Sequence, residues 1–178
     1  MKHKITLLEN GTLMTWSDGD LEFELHWKEH VTARNAMVGG CIFIGTTGTG
    51  KTFIPDEFID AYKSMQISSG LGLPVINRVV ASMLTLNDNL QKLASCHLLY
   101  IDDLGKETGG SNLIRDLIFH REEYLRNPFY GPREHFITFI STNLTMDQIA
   151  ERYGEYIKDR ILALGDVIVL EGESKRPK

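Results

Sequence analysis

Apolar residues in this chain fall in short unbroken runs, separated by segments in which they recur every three or four positions. Cys41-Ile42-Phe43-Ile44, His97-Leu98-Leu99-Tyr100-Ile101 and His135-Phe136-Ile137-Thr138-Phe139-Ile140 are short for helices and read as buried strands, and Val167-Ile168-Val169-Leu170 reads as a further strand. Between them, Phe58, Tyr62 and Met65, and later Leu113, Ile114, Leu117, Ile118 and Leu125, keep helical spacing. Ser68-Ser69-Gly70 closes the first of these helices; Gly109-Gly110-Ser111 opens the second and Asn127-Pro128 stops it. Pro55 near the start of the first removes a backbone donor and predicts an irregular opening turn. Leu73 to Val80 predicts a short second strand, followed by helical material containing Leu84, Leu90 and Leu93. Thr145-Met146-Asp147-Gln148 is a capping box for a further helix. Strands alternating with helices predict an α/β layered sheet.

The first thirty residues follow a different rhythm. Ile5-Thr6-Leu7-Leu8, Thr12-Leu13-Met14-Thr15-Trp16 and Leu21-Glu22-Phe23-Glu24-Leu25-His26-Trp27 are separated by Asn10-Gly11 and Ser17-Asp18-Gly19, both hairpin signals. A small β-meander is the expectation, with Leu21, Phe23, Leu25 and Trp27 on one face; a helix from Asp20 to Met37 is the alternative. Gly39-Gly40 marks entry into the core, so residues 1–38 read as a β-rich extension and 39–178 as one larger domain.

Chemistry enters directly after the first core strand. Gly45-Thr46-Thr47-Gly48-Thr49-Gly50-Lys51-Thr52 matches the phosphate-cradling pattern G-x-x-x-x-G-K-[ST]. Its glycines let successive N–H groups point at phosphate oxygens, Lys51 supplies a cation for the β and γ phosphates, and Thr52 offers a hydroxyl to Mg²⁺. The strand through Ile101 ends in Asp102-Asp103-Leu104-Gly105, where an acid at the sheet's carboxyl edge can hold that metal opposite Thr52. Asp102 fits the role, and Asp103 stands where a carboxylate can orient or deprotonate an attacking water. The strand through Ile140 ends in Ser141-Thr142-Asn143, and the Asn143 amide is either a γ-phosphate sensor or an ordinary strand-end residue. Arg115 and Arg121 share the helix after Ser111, as solvated charges or functional ones.

Composition narrows the setting. The chain has 178 residues, 42% of them hydrophobic, enough for one full core. Its net charge of -5 argues against a generally basic nucleic-acid coat and confines any DNA contact to a local patch, with Lys63, Arg78, Lys92 and Lys106 as candidates. No run approaches the ~18 apolar residues of a membrane span, and Met1-Lys2-His3-Lys4 leads into no signal-peptide region, so a cytoplasmic protein is expected. Cys41 and Cys96 read as reduced core thiols.

The succession GTTGTGKT, LLYIDDLG, FISTNLT, ERYGEYIKDRIL and VIVLEGESKR resembles the ATPase core of DnaC-type helicase loaders and the related IstB-type transposition ATPases of the AAA+ superfamily. The resemblance runs from about Cys41 to Arg176. It implies a three-layer P-loop sandwich with a mostly parallel sheet in strand order 5-1-4-3-2, without a helical lid domain. It further implies ATP and Mg²⁺ at the sheet edge, assembly into an oligomer with ATP bound, and an arginine finger given to a neighbouring subunit. By position Arg160 is that finger and Asn143 the sensor; Arg121, in Arg-Glu-Glu-Tyr, resembles another interface arginine. Two features depart from the family pattern: residues that read as strands stand where family loaders carry a helicase-binding region, and Pro55 interrupts the usual continuous helix after the loop.

The expectation is an ATPase in which Lys51, Asp103, Asn143 and a neighbour's Arg160 act on the γ-phosphate, and which loads or remodels a replicative helicase on DNA. An IstB-like accessory to a transposase, or an ATP-switched binding module whose Lys106–Ser111 segment moves, are the alternatives. A single-stranded DNA surface belongs to the first reading.

Overall fold

In the computed structural model, residues 2–8, 11–18, 21–26, 40–68, 73–107, 112–127 and 136–170 are described. Expectations for Trp27 and residues 27–39, Ser69-Gly70, residues 108–111, Pro128 and the tail from residue 171 lie outside them.

The N-terminal strands β1 (Lys2–Leu8), β2 (Gly11–Asp18) and β3 (Leu21–His26) pair antiparallel in chain order. The register sets Leu8 against Gly11 and Asp18 against Leu21, which leaves two residues for each connection, the length that right-twisted hairpins favour. The strand reading therefore holds over residues 21–26.

Five further strands form the core sheet: β4 (Cys41–Gly45), β5 (Ile76–Val80), β6 (Leu98–Leu104), β7 (Ile137–Thr142) and β8 (Asp166–Leu170). Their order is β5-β6-β7-β4-β8 and every pairing is parallel, which is the expected order 5-1-4-3-2 read from the other edge. Between them run α1 (Phe53–Ser68), α2 (Leu90–Ala94), α3 (Asn112–Arg126), α4 (Met146–Tyr153) and α5 (Glu155–Leu162). The strands β4, β6 and β7 are buried almost throughout because both sheet faces are covered. On one face Phe43 and Phe139 pack with Phe58 and Tyr62 of α1; on the other Ile42, Leu99, Ile101 and Ile140 pack with Ile114, Leu117 and Ile118 of α3.

Two expectations need correction. Leu84 is not helical: a single 3-10 turn, Ala81–Met83, follows β5, and helix begins only at Leu90, capped by the Asn89 side chain on the Lys92 amide. Pro55 does not disturb α1. It is its third residue, where a helix has few donors to lose, and the bonds from Ile54 to the Gly50 carbonyl and from Asp56 to the Thr52 carbonyl continue on either side. The Thr145–Gln148 capping box forms as expected.

Because β7 lies between β4 and β6, Cys41 in β4 and Cys96, two residues before β6, are held apart; both are free and buried. Burial, then the Asp166 charge, pushes the Cys41 thiol up to about 12, and burial also raises Cys96. Native protein at pH 8 should therefore react with a disulfide reagent only as fast as the fold opens, and both thiols should react after denaturation. Immediate labelling of either would contradict this packing. The folded Cys41 keeps its proton up to about 12 whereas an ordinary thiol releases it near 9.0. Its contribution to stability is complete below pH 9 and disappears as pH rises through 12.

Candidate active site

Parallel pairing brings the carboxyl ends of all five core strands to one edge, the place where open α/β sheets bind ligands. The phosphate-type loop leaves β4 there. Gly48 and Gly50 have φ of 91° and 98°, values a side chain would strain, and they curl the loop into the start of α1. Within the loop the Thr46 carbonyl accepts from the Thr49 hydroxyl at 2.9 Å and from the Lys51 ammonium. Lys51 is thereby buried with its charge turned into the loop, while Thr46, Thr47 and Thr52 remain exposed.

Across the edge, Asp102 is buried near the end of β6. Its Oδ1 accepts from the Ser141 hydroxyl of β7 at 2.5 Å and from its strand neighbour Tyr100 at 2.9 Å, and its Oδ2 accepts from Arg78 of β5 at 2.6 Å. Burial would raise the Asp102 pKa, but these hydrogen bonds, Ser141 first, outweigh it and hold the carboxyl below its ordinary value. The Thr52 side chain lies close enough to the same Tyr100 hydroxyl to favour its ionised form slightly, although burial raises that phenol overall. Thr52, just before α1, and Asp102, in β6, are thus both neighbours of one phenol.

Asp103 sits in a register break between Ile101 and Leu104 of β6 and is, among the described residues, the non-glycine with positive φ, at 57°. Such a bulge re-aims a side chain, a device common beside active sites. The Asp103 amide donates to Ser141, and its carboxylate pairs with Lys106 at 2.9 Å. Asn143, exposed, follows β7 at the same edge.

Arg160 is placed elsewhere. It lies on α5 against α3, paired with the buried Glu122 and bonded to Tyr156, its guanidinium 4.4 Å from the Phe119 ring centroid and 4.3 Å from that of Tyr156.

Arg121 does not fit the interface role implied by resemblance. It is 0% exposed, and its guanidinium donates to the Thr138 hydroxyl and to the carbonyls of Ala94, Cys96, His97 and Ile137. Burial lowers its pKa to about 10, which leaves it a cation at neutral pH. Of the basic residues considered for DNA, Lys63 pairs with Asp60, Lys106 with Asp103, and Arg78 with Asp56 and Asp102.

Sequence reasoning missed Tyr100, Arg78 and Glu107 as parts of this edge. Glu107 accepts from the Gly105 amide at 2.9 Å and from the Tyr153 hydroxyl, and Arg152 donates to its carbonyl, so the segment after Asp103 is tied to the end of α4. The signal for Glu107 was an acid beside a lysine in a loop, which carries no local mark of burial.

No family model and no curated protein sequence matches the chain. Solved structures do. "Crystal Structure of the DnaI" aligns with a TM-score of 0.57 and 20% identity over 79% of this chain and 74% of that one. "Crystal structure of the DnaC helicase loader" aligns with a TM-score of 0.52 and 17% identity over 80% and 84%. The fold is the one these DnaI and DnaC structures share. A putative primosome component from Streptococcus pyogenes serotype M3 aligns over 82% of this chain and 74% of its own at a TM-score of 0.56 and 14% identity.

The donor set at this sheet edge suits a nucleotide with a divalent metal. A hydroxyl and a carboxylate converge at Tyr100, Asp102 already carries a cation on Oδ2, and a glycine loop with a buried lysine stands beside them. Among the described residues no helix is long and apolar enough to cross a membrane.

Proposed function

We propose that this chain is a Mg²⁺-dependent ATP hydrolase that loads or remodels a replicative helicase on DNA. The observation that carries the reading is the convergence of Thr52 and Asp102 beside the glycine loop, with Asp103 re-aimed by a bulge immediately after. The likeness to a helicase loader supports the choice of partner.

In this mechanism the backbone amides of Gly45–Thr52 cradle the phosphates, and Lys51 swings from the Thr46 carbonyl to the β and γ oxygens. Thr52 and Asp102 would hold Mg²⁺, which supplies charge neutralisation at the phosphate oxygens. Asp103 exchanges Lys106 for the attacking water and takes its proton, and Asn143 holds that water by hydrogen bonds. Arg160 of an adjacent protomer completes charge stabilisation, so turnover depends on assembly.

The test is ATP binding and turnover by the full chain, alone and with single-stranded DNA and a replicative helicase. Lys51→Ala should fold but lose ATP binding, because it removes a ligand contact and little core volume. Asp103→Asn should keep binding and lose about 10²–10⁴-fold in turnover. Tight ATP binding by folded Lys51→Ala would overturn the loop assignment, and wild-type turnover in Asp103→Asn would move the base elsewhere. Recovery of a transposase in place of a helicase from the native host would redirect the function toward transposition.

A further inference from the structure

The cation on the Asp102 carboxylate belongs to the chain itself. Arg78 reaches from the edge strand β5, donating through one nitrogen to Asp102 Oδ2 at 2.6 Å and through the other to Asp56 Oδ1 of α1 at 3.0 Å. Its guanidinium carbon lies 5.0 Å from the ring centroid of Tyr100, the β6 residue beside it in register.

Oδ1 of Asp102 is occupied by Ser141 and Tyr100, whose hydroxyls fix the carboxylate plane. Oδ2 is left to face an incoming metal, and Arg78 holds that oxygen. The Asp102 side chain is 8% exposed, but that of Arg78 is 41% exposed, so the arginine can move away without opening the core. It also has a place to go. Asp56, 44% exposed, already shares its charge and would retain it.

We propose that Arg78 is a resident counter-cation that competes with the divalent metal for Asp102 Oδ2 and retreats onto Asp56 when metal and nucleotide enter. The inference rests on the nucleotide-site reading above. Arg78 keeps the buried carboxylate compensated before ligand arrives, since a buried charge without a partner is costly. The same contact raises the metal concentration the site needs, because only the fraction of molecules with Oδ2 released can accept the metal. A phosphate-loop site built this way responds to metal and nucleotide together, and binds metal alone weakly.

The two partners of Arg78 make opposite predictions. Arg78→Gln removes the competing charge while keeping an amide that can still donate; Asp56→Asn removes the resting place and leaves the arginine committed to Asp102. The measurement is the Mg²⁺ concentration for half-maximal binding of a non-hydrolysable ATP analogue to the full chain, read by calorimetry, with Tm recorded for each variant. Arg78→Gln should lower that concentration about tenfold and Asp56→Asn should raise it severalfold, the size expected for one charge gained or lost at contact distance in water-screened surroundings. Arg78→Lys, a more conservative change should glutamine not fold, should give a smaller shift in the same direction as Arg78→Gln. An unchanged or raised Mg²⁺ requirement in Arg78→Gln, with wild-type binding intact, overturns the competition and leaves the nucleotide site standing. A wild-type chain that binds no nucleotide at any Mg²⁺ concentration overturns both.

Discussion

Arg121→Ala is expected to cost about 4 kcal/mol of folding stability and to lower Tm by about 10 °C. The side chain joins four elements: it starts on α3, reaches the carbonyls of Ala94 at the end of α2 and of Cys96 two residues on, and binds His97 immediately before β6 and Ile137 at the start of β7. Truncation takes this donor from the Thr138 hydroxyl and from the carbonyls of Ala94, Cys96 and Ile137, while the His97 carbonyl keeps the Ile137 amide; each group left without a partner costs about 1–3 kcal/mol before any relaxation. Arg121→Lys should recover only part of the loss, because an ammonium has three donors and no planar fork to reach partners on separate strands. Urea unfolding followed by circular dichroism gives the measurement. A variant with wild-type Tm but impaired ATP-dependent assembly would restore the interface role and refute the structural one.

Buried parallel strands announce themselves as continuous apolar runs, which is why β4, β6 and β7 and the loop after β4 were legible from residue type alone; β8 carries the same run but lies at the sheet edge with Val167 and Val169 exposed. Asp102 could be placed because a strand's end is also the sheet's ligand edge. What stayed hidden depends on contacts distant in sequence. Arg78 and Asp102 are 24 residues apart, and only the β5–β6 register sets them together. Arg121 left a trace that could have been read: with Ile114, Ile118 and Leu125 it continues a four-three-four spacing along the buried side of α3. A charge on an apolar stripe has to find partners inside the protein. Glu122 shows the same signature, and its partner Arg160 lies 38 residues away. The helix expected at Leu84 failed for a different reason. Leucines spaced by six and then three, Leu84, Leu90 and Leu93, fit helix and loop alike, and here the chain packs Leu84 against the core from an extended backbone after a single 3-10 turn.

Arg160→Ala should bind ATP normally yet hydrolyse it about 10³–10⁵-fold more slowly, and mixing it with Lys51→Ala should restore part of the activity. The logic is spatial: an Arg160→Ala protomer keeps an intact site, and a Lys51→Ala neighbour still has the arginine to lend. The structure adds a condition to this proposal. Arg160 is held by Glu122, and its guanidinium lies between Phe119 and Tyr156, so it must leave those contacts to reach another subunit. Glu122→Gln keeps the shape of the site and weakens the hold, and should raise turnover per assembled site while lowering Tm. A residue that only joins α5 to α3 would behave otherwise. Arg160→Ala would then lose about 3 kcal/mol of stability, because Glu122 would stay buried with Arg126 as its remaining ion-pair partner. Turnover per folded molecule would be unchanged, the mixture with Lys51→Ala would gain nothing, and Glu122→Gln would lower stability without any rise in rate. Turnover against protein concentration for the three variants, with Tm measured alongside, separates an arginine lent to a neighbour from one that stays at home.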